Sequence, residues 1–100
     1  MIDFARIVGF DWDKGNRRKN ENKHAVDPSE AEEVFFNDPV LIVEDARHSQ
    51  AEPRYHALGK TNLGRPLHVT FTLRAEATLI RVISARDMHR KERARYEQET

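Results

Sequence analysis

The chain changes its hydrophobic period part-way along its length. In residues 4–12, Val8, Phe10 and Trp12 alternate with other side chains, which predicts a first strand. Asp13–His24 is nearly all polar, with Lys14, Arg17, Arg18, Lys19, Asn20, Asn22 and Lys23. It predicts a helix with almost no apolar face, lying on the surface. A second helix opens with Asp27 as N-cap, Pro28 at the first helical position and Glu30 at capping-box spacing. Ala31, Val34 and Phe35 give it one apolar stripe, and Asn37-Asp38-Pro39 ends it.

Beyond residue 39 the period falls to two. Val40–Glu44 reads as a strand, Asp45–Pro53 as a polar loop, Arg54–Lys60 as a strand and Asn62-Leu63-Gly64 as a turn. Arg65–Leu73 places Leu67, Val69, Phe71 and Leu73 on one face, and His68, Thr70 and Thr72 on the other. Arg74–Ala77 connects it to a strand over Thr78–Ala85. Asp87–Gln98 is charged and helix-favouring, with Met88, Glu92 and Tyr96 aligned at i, i+4 spacing. The order predicts an α+β domain with an antiparallel meandering sheet, flanked by two N-terminal helices and one C-terminal helix. If Leu73 lies opposite Thr78, then Ile80 and Val82 join the apolar face, Arg81 falls opposite Thr70, and Arg86 falls opposite Arg65. A slip of one residue would exchange the faces.

The 100 residues make a single domain, 1–100, with no room for a second core. The absence of cysteine excludes disulfides and thiolate-bound zinc, and fits a reducing cytoplasm. No run reaches the roughly 18–20 apolar residues of a membrane span, and the start lacks a signal-peptide layout, so a soluble cytoplasmic domain is expected. The net charge of +0 hides an asymmetry: residues 1–50 carry 7 Lys/Arg against 11 Asp/Glu, and residues 51–100 carry 10 against 6. Eight of those ten bases are arginine, whose fork binds phosphate bidentately, so the second half can offer phosphate a local positive field.

Two stretches carry a family resemblance. Phe10-Asp11-Trp12-Asp13-Lys14, then Asn20, Lys23-His24 and Val26, form an opening signature. Arg81-Val82-Ile83-Ser84-Ala85-Arg86, then Glu92-Arg93 and Tyr96, form a closing one, with Glu30-Ala31, the Asp45 loop, Arg54, Gly59, Arg65 and Arg74 in order between them. From about Phe10 to Tyr96 the chain resembles the BrnT toxins of bacterial toxin–antitoxin pairs. Two positions depart from that pattern: Ala25 stands where glycine is usual, and Pro53 where an acidic residue is common. The resemblance implies a RelE-like fold and a metal-independent endoribonuclease with no cofactor. It also implies neutralisation by a BrnA-type antitoxin in a hetero-oligomer, with operator DNA contacted only through the antitoxin. The alternative is a non-catalytic protein of the same fold that binds RNA or antitoxin.

RNA cleavage of that kind needs a base for the ribose 2′-OH, an acid for the leaving 5′-oxygen, and cations around phosphorus. Arg54, Arg65, Arg81 and Arg86 are the candidate cations. For Arg81 the competing role is to cover apolar surface while its head reaches water or Glu92. His24, beside Lys23, is the candidate base, against a plain capping role at a helix end. His56, Glu92 and Tyr96 are further acid–base groups. Lys23, Trp12, His68 and Tyr96 are candidate substrate contacts. Against these stand a half-buried sheet position for His68, a helix-docking role for Tyr96, and a core position for Trp12, which with Phe10 is otherwise able to stack bases. The His and Asp residues show no spacing suited to a metal, so none is expected.

Overall fold

The computed structural model describes residues 2–49 and 51–100, leaving aside the side chains of Asn16, Arg17, Asn20 and Asn22. The expectations placed on Arg17, Asn20 and Asn22 therefore lie outside the described residues. Eight elements follow a 3₁₀ turn at Phe4–Arg6. They are β1 (Gly9–Asp11), α1 (Lys14–His24), α2 (Pro28–Glu33), β2 (Leu41–Glu44), β3 (Tyr55–Lys60), β4 (Pro66–Arg74), β5 (Leu79–Asp87) and α3 (Arg90–Glu99), with a further 3₁₀ turn at Ala46–His48. Among the described residues no helix is long and apolar enough to cross a membrane.

Local chemistry accounts for α2. Asp27 accepts from the Ser29 N–H at 2.9 Å, and the Asp27 N–H donates to Glu30 at 3.0 Å, closing the capping box. The end of α1 is costlier. Ala25 sits in the left-handed region with φ 53°, where an L side chain crowds its own carbonyl. Ala25→Gly relieves that contact, and we expect it to raise stability by about 0.5–1 kcal/mol in urea melts.

The sheet runs β1-β5-β4-β3-β2. Strands β2 to β5 form the expected antiparallel meander, but β1 pairs parallel to β5, so the sheet is mixed. The cause is the route of the chain: after β1 it crosses through α1 and α2 to the far edge, where β2 runs opposite to β1, and the three antiparallel pairings that follow bring β5 back parallel to β1. The last hairpin also differs from expectation. Leu73 pairs with Ile80 rather than Thr78, and the connection is residues 75–78, with Ala75, Glu76 and Ala77 all at positive φ. A shift of two residues preserves the faces, so Ile80 and Val82 still enter the core. Further along, Thr70 pairs with Ser84 and Phe71 with Val82, leaving Ile83 as the extra residue of a bulge. Arg81 therefore lies opposite Thr72, not Thr70, and Arg86 opposite His68, not Arg65. The bulge also puts Arg81 and Arg86 on one face, where an unbroken strand would separate residues five apart.

The main core lies on one face of the sheet. Val26, Ala31 and Val34 pack there against Ala57, Leu67, Val69, Phe71, Ile80, Val82 and Ala85. Phe35 meets Phe71 edge-on at 5.0 Å and Phe10 at 5.8 Å. Gly59 allows the close approach of α2, because a Cβ there would stand 2.9 Å from the Val34 side chain. On the other face a smaller cluster of Leu58, Met88 and Tyr96 seats α3 over one end of the sheet, and the Tyr96 hydroxyl donates to the Pro39 carbonyl at 2.6 Å. Helix α3 starts three residues later than expected, because β5 runs on to Asp87 and the Met88 N–H still bonds Pro66. The part of this face that α3 leaves uncovered forms the site.

Candidate active site

Strand register places the polar residues of the open face in rows. Leu58, His68 and Arg86 form one row across β3, β4 and β5; His56, Thr70 and Ser84 form the next. Thr72 and Arg81 begin a third, with Arg54 just before β3 on the same side. Between these strands, α3 and the 3₁₀ turn at Ala46–His48 lies a cleft of about 580 Å³. A second hollow of about 430 Å³ adjoins it, shares Arg54 and Ile83, and adds Glu52, Arg74 and Arg81.

One carboxylate organises the rim of the cleft. Asp45 accepts from the His48 N–H at 3.2 Å, and its Oδ2 stands 3.0 Å from His48 Nδ1 and 3.1 Å from His56 Nε2. Partial burial pushes the Asp45 carboxyl up, but the hydrogen bonds and charges of His48 and His56 outweigh it and hold the group ionised below its ordinary range. An ionised carboxylate only accepts, which assigns the N–H of each ring to the nitrogen facing it. The other ring nitrogen of His56, Nδ1, lies 3.0 Å from the Thr70 hydroxyl, in hydrogen-bond contact with it. His48 keeps its Nε2 without a partner among the described residues, on a side chain that is 61% exposed.

The floor of the cleft is a buried histidine. His68 is 9% exposed, stacks on His56 with ring centroids 4.5 Å apart, and has no hydrogen-bond partner for Nδ1 among the described residues. Desolvation and the nearby charge of Arg86 lower its pKa to about 4, against the opposing pull of Glu92. His68 is thus a neutral ring at physiological pH. Arg86 makes a bidentate pair with Glu92, at 2.9 Å for each bond, and Glu92 also caps α3 by accepting from the His89 N–H at 2.8 Å. Burial raises Glu92, yet those bonds and the Arg86 charge prevail and bring its pKa to about 2. Arg54 differs from Arg86. Its guanidinium makes no hydrogen bond or ion pair among the described residues, and it lines both hollows.

A family model described as "Ribonuclease toxin, BrnT, of type II toxin-antitoxin system" matches residues 12–92. The chain belongs to the BrnT family. The crystal structure of the ribonuclease toxin BrnT of Brucella abortus shares this fold, with a TM-score of 0.62 and 24% identity over 83% of this chain and 99% of that one. No curated protein matches the chain. Membership makes the chain a toxin of a type II toxin–antitoxin system, with ribonuclease activity, an RNA substrate and an antitoxin partner.

Within this BrnT-family domain the residues singled out from sequence fall into separate places. Arg54, His68 and Arg86 meet in the cleft, and Arg81 lies in the adjoining hollow, bonded to Asp11 at 3.5 Å and Asp13 at 3.3 Å rather than to Glu92. Arg65 is elsewhere. It donates to Asp87 at 2.7 and 3.1 Å, to Glu30 at 3.2 Å and to the Ala25 carbonyl at 3.0 Å, tying β4 to the end of β5 and the start of α2. Arg65→Ala leaves two carboxylates short of a donor, and we expect it to cost about 1–2 kcal/mol in denaturant melts. His24, at the end of α1, faces Asp87 on that same side and does not line the cleft. Lys23 is exposed on α1, also away from it. Trp12 packs against the main core on the opposite face, its Nε1–H donating to Glu32 at 2.7 Å. Tyr96 is buried under α3 at 4% exposure. Neither aromatic lines the cleft.

Asp45 and His48 lie in the segment expected as a polar loop, of which the Asp45 loop figured in the family resemblance but neither residue as a site candidate. Their spacing of three residues was the available signal, since it suits an Asp side chain that caps a short turn.

Proposed function

We propose that this chain cleaves RNA without a metal, by attack of a ribose 2′-OH on its own phosphate, in the cleft between β3, β4 and α3. The observation that carries the reading is the Asp45 carboxylate orienting two imidazoles, His48 and His56, beside the unpaired guanidinium of Arg54. Each requirement of the reaction then has a side chain. Histidine suits proton exchange at physiological pH, and His48 Nε2 is the accessible nitrogen that takes the 2′-OH proton. The 2′-oxygen bonds phosphorus and the bond to the 5′-oxygen breaks. The leaving oxygen takes a proton from protonated His56, passed through the Thr70 hydroxyl. Arg54 holds the phosphoryl oxygens as charge builds on them. The products are a 2′,3′-cyclic phosphate and a 5′-hydroxyl.

On this reading the roles first considered for Arg65, His24, Lys23, Trp12 and Tyr96 pass to the cleft residues. Arg86, held by Glu92, keeps the end of the cleft rigid, and its charge adds to burial in keeping His68 uncharged. We read the fold as RelE-like, the partner as a BrnA-type antitoxin in a cytoplasmic hetero-oligomer, and contact with operator DNA as made through that antitoxin.

Expression of the wild-type chain should arrest bacterial growth and cut cellular RNA. Arg54→Ala should abolish both while its circular dichroism spectrum stays native, because the side chain supports no structural bond among the described residues. Normal growth and intact RNA with the wild-type chain would contradict the proposal and favour a binding protein that has lost cleavage.

A further inference from the structure

We propose that the hollow beside the histidine cleft is a second phosphate subsite, centred on Arg81, which holds a phosphodiester adjacent to the scissile one at Arg54 and selects extended single-stranded RNA. The proposal rests on the histidine cleft being the RNA site. Its own support comes from the geometry of the arginines.

Arg81 and Arg86 share a face only because the bulge at Ile83 brings them there. Their cross-strand partners Thr72 and His68 are four residues apart on β4, which separates the two rows by about 13 Å at about 3.3 Å per residue. Their ion pairs engage different carboxylates. Arg86 is held toward α3 by Glu92, and Arg81 toward Asp11 and Asp13 at the other end of the face. One phosphate cannot take both heads, and with Arg86 held by Glu92 it is Arg81, at the other row, that can meet a further phosphate of a strand passing along the face.

The two arginines are held unequally. The Arg86–Glu92 pair is bidentate with two bonds of 2.9 Å, whereas Arg81 reaches two different carboxylates at 3.3 and 3.5 Å. Charge-assisted bonds at full strength measure about 2.7–2.9 Å, so Arg81 gives up little when it exchanges a carboxylate for phosphate. Arg74 lines the same hollow but is tied to Glu52 by two bonds, and the Thr72 hydroxyl donates to the Pro53 carbonyl. With Arg54 at the scissile phosphate, Arg81 is thus the cation of this hollow left for a second anion, in a lining where Glu52 faces both arginines. Ile83, which lines both hollows, gives an apolar ledge between them for a sugar or base. A concave track with cations at intervals and an apolar step fits a single strand, which can follow it, better than a rigid duplex.

The test measures binding, not cleavage. A 2′-O-methyl dinucleotide, which lacks the attacking hydroxyl, is titrated alone and with a terminal phosphate at its 5′ or 3′ end. The subsite predicts that the phosphate at one end tightens binding about tenfold, an effect that added salt weakens. In Arg81→Ala the ratio of the two affinities should fall to about one, and in Asp13→Asn it should grow, because a competing carboxylate is gone. No gain from a phosphate at either end overturns the proposal, as does a ratio that survives in Arg81→Ala. If Arg81→Ala does not fold, Asp13→Asn decides, and an unchanged ratio there is contrary. A wild-type protein that shows the gain yet leaves an all-ribose oligonucleotide intact overturns the cleavage reading and not the subsite.

Discussion

His48→Ala should lower the single-turnover rate of RNA cleavage by about 10²–10⁴-fold, the range typical of removing a general base, while leaving stability within about 0.5 kcal/mol. The two halves of that expectation come from the same geometry. The ring is 61% exposed and packs into no core cluster, so its loss creates no cavity. Its one side-chain bond, to Asp45 Oδ2, aims Nε2 outward at the cleft, and that orientation is what catalysis would lose. Asp45→Asn tests the orienting step, since an amide cannot hold both rings as the carboxylate does, and a large loss of rate is expected there too. A His48→Ala protein that cleaves at the wild-type rate would remove His48 from the mechanism. Rate and stability are read on the same preparation, by a fluorescent RNA assay and a urea melt.

The second large effect is on acid stability. His68 has its folded pKa lowered to about 4 from the ordinary 6.5, so between those values the unfolded chain binds a proton that the folded chain refuses. The stability is present above pH 6.5 and is lost as pH falls toward 4, and the full difference amounts to about 3 kcal/mol. Glu92 acts in the same direction at lower pH. Its pKa of about 2 lies below the ordinary 4.5, so its contribution is present above 4.5 and lost as pH falls toward 2. The groups facing His68 are Arg86 from β5, Glu92 from α3 and His56 from β3; Glu92, 3.6 Å from Nε2, favours the protonated ring, but burial and the charges of Arg86 and His56 outweigh it. Urea melts at pH 7 and pH 4 should show the loss, and His68→Gln should remove most of it. Equal pH dependence in the two proteins would mean that His68 is protonated as easily in the folded chain as in the unfolded one.

Legibility followed the range of the interactions. The Asp27–Glu30 capping box could be read because its partners are three residues apart. The faces of β4 could be read because alternation is strict from Leu67 to Leu73. The parallel pairing of β1 could not, since it depends on where the chain goes after Asp11 rather than on residues 9–11 themselves. The bulge left only a faint trace: the inward residues Ile80, Val82 and Ala85 step by two and then by three. Missing it sent Arg81 and Arg86 to opposite faces and placed Arg86 against Arg65. In the site, Arg54, His56, His68 and Arg86 were visible as residues, but which arginine keeps a free head depends on distant carboxylates. Glu30 and Asp87 claim Arg65, Glu92 claims Arg86, and Glu52, which acts on Arg54 only through space, is bonded to Arg74. Asp45 and His48 were missed because a polar loop carries no period by which its side chains can be aimed.

The central claim is that the chain cuts RNA through its own 2′-OH, and the ends of the products test it most directly. Purified protein incubated with a defined RNA oligonucleotide in the presence of a chelator, with the fragments analysed by mass spectrometry, should give 2′,3′-cyclic or 3′-phosphate ends paired with 5′-hydroxyl ends. Fragments ending in 3′-hydroxyl and 5′-phosphate, or no fragments until a divalent metal is added, would contradict it.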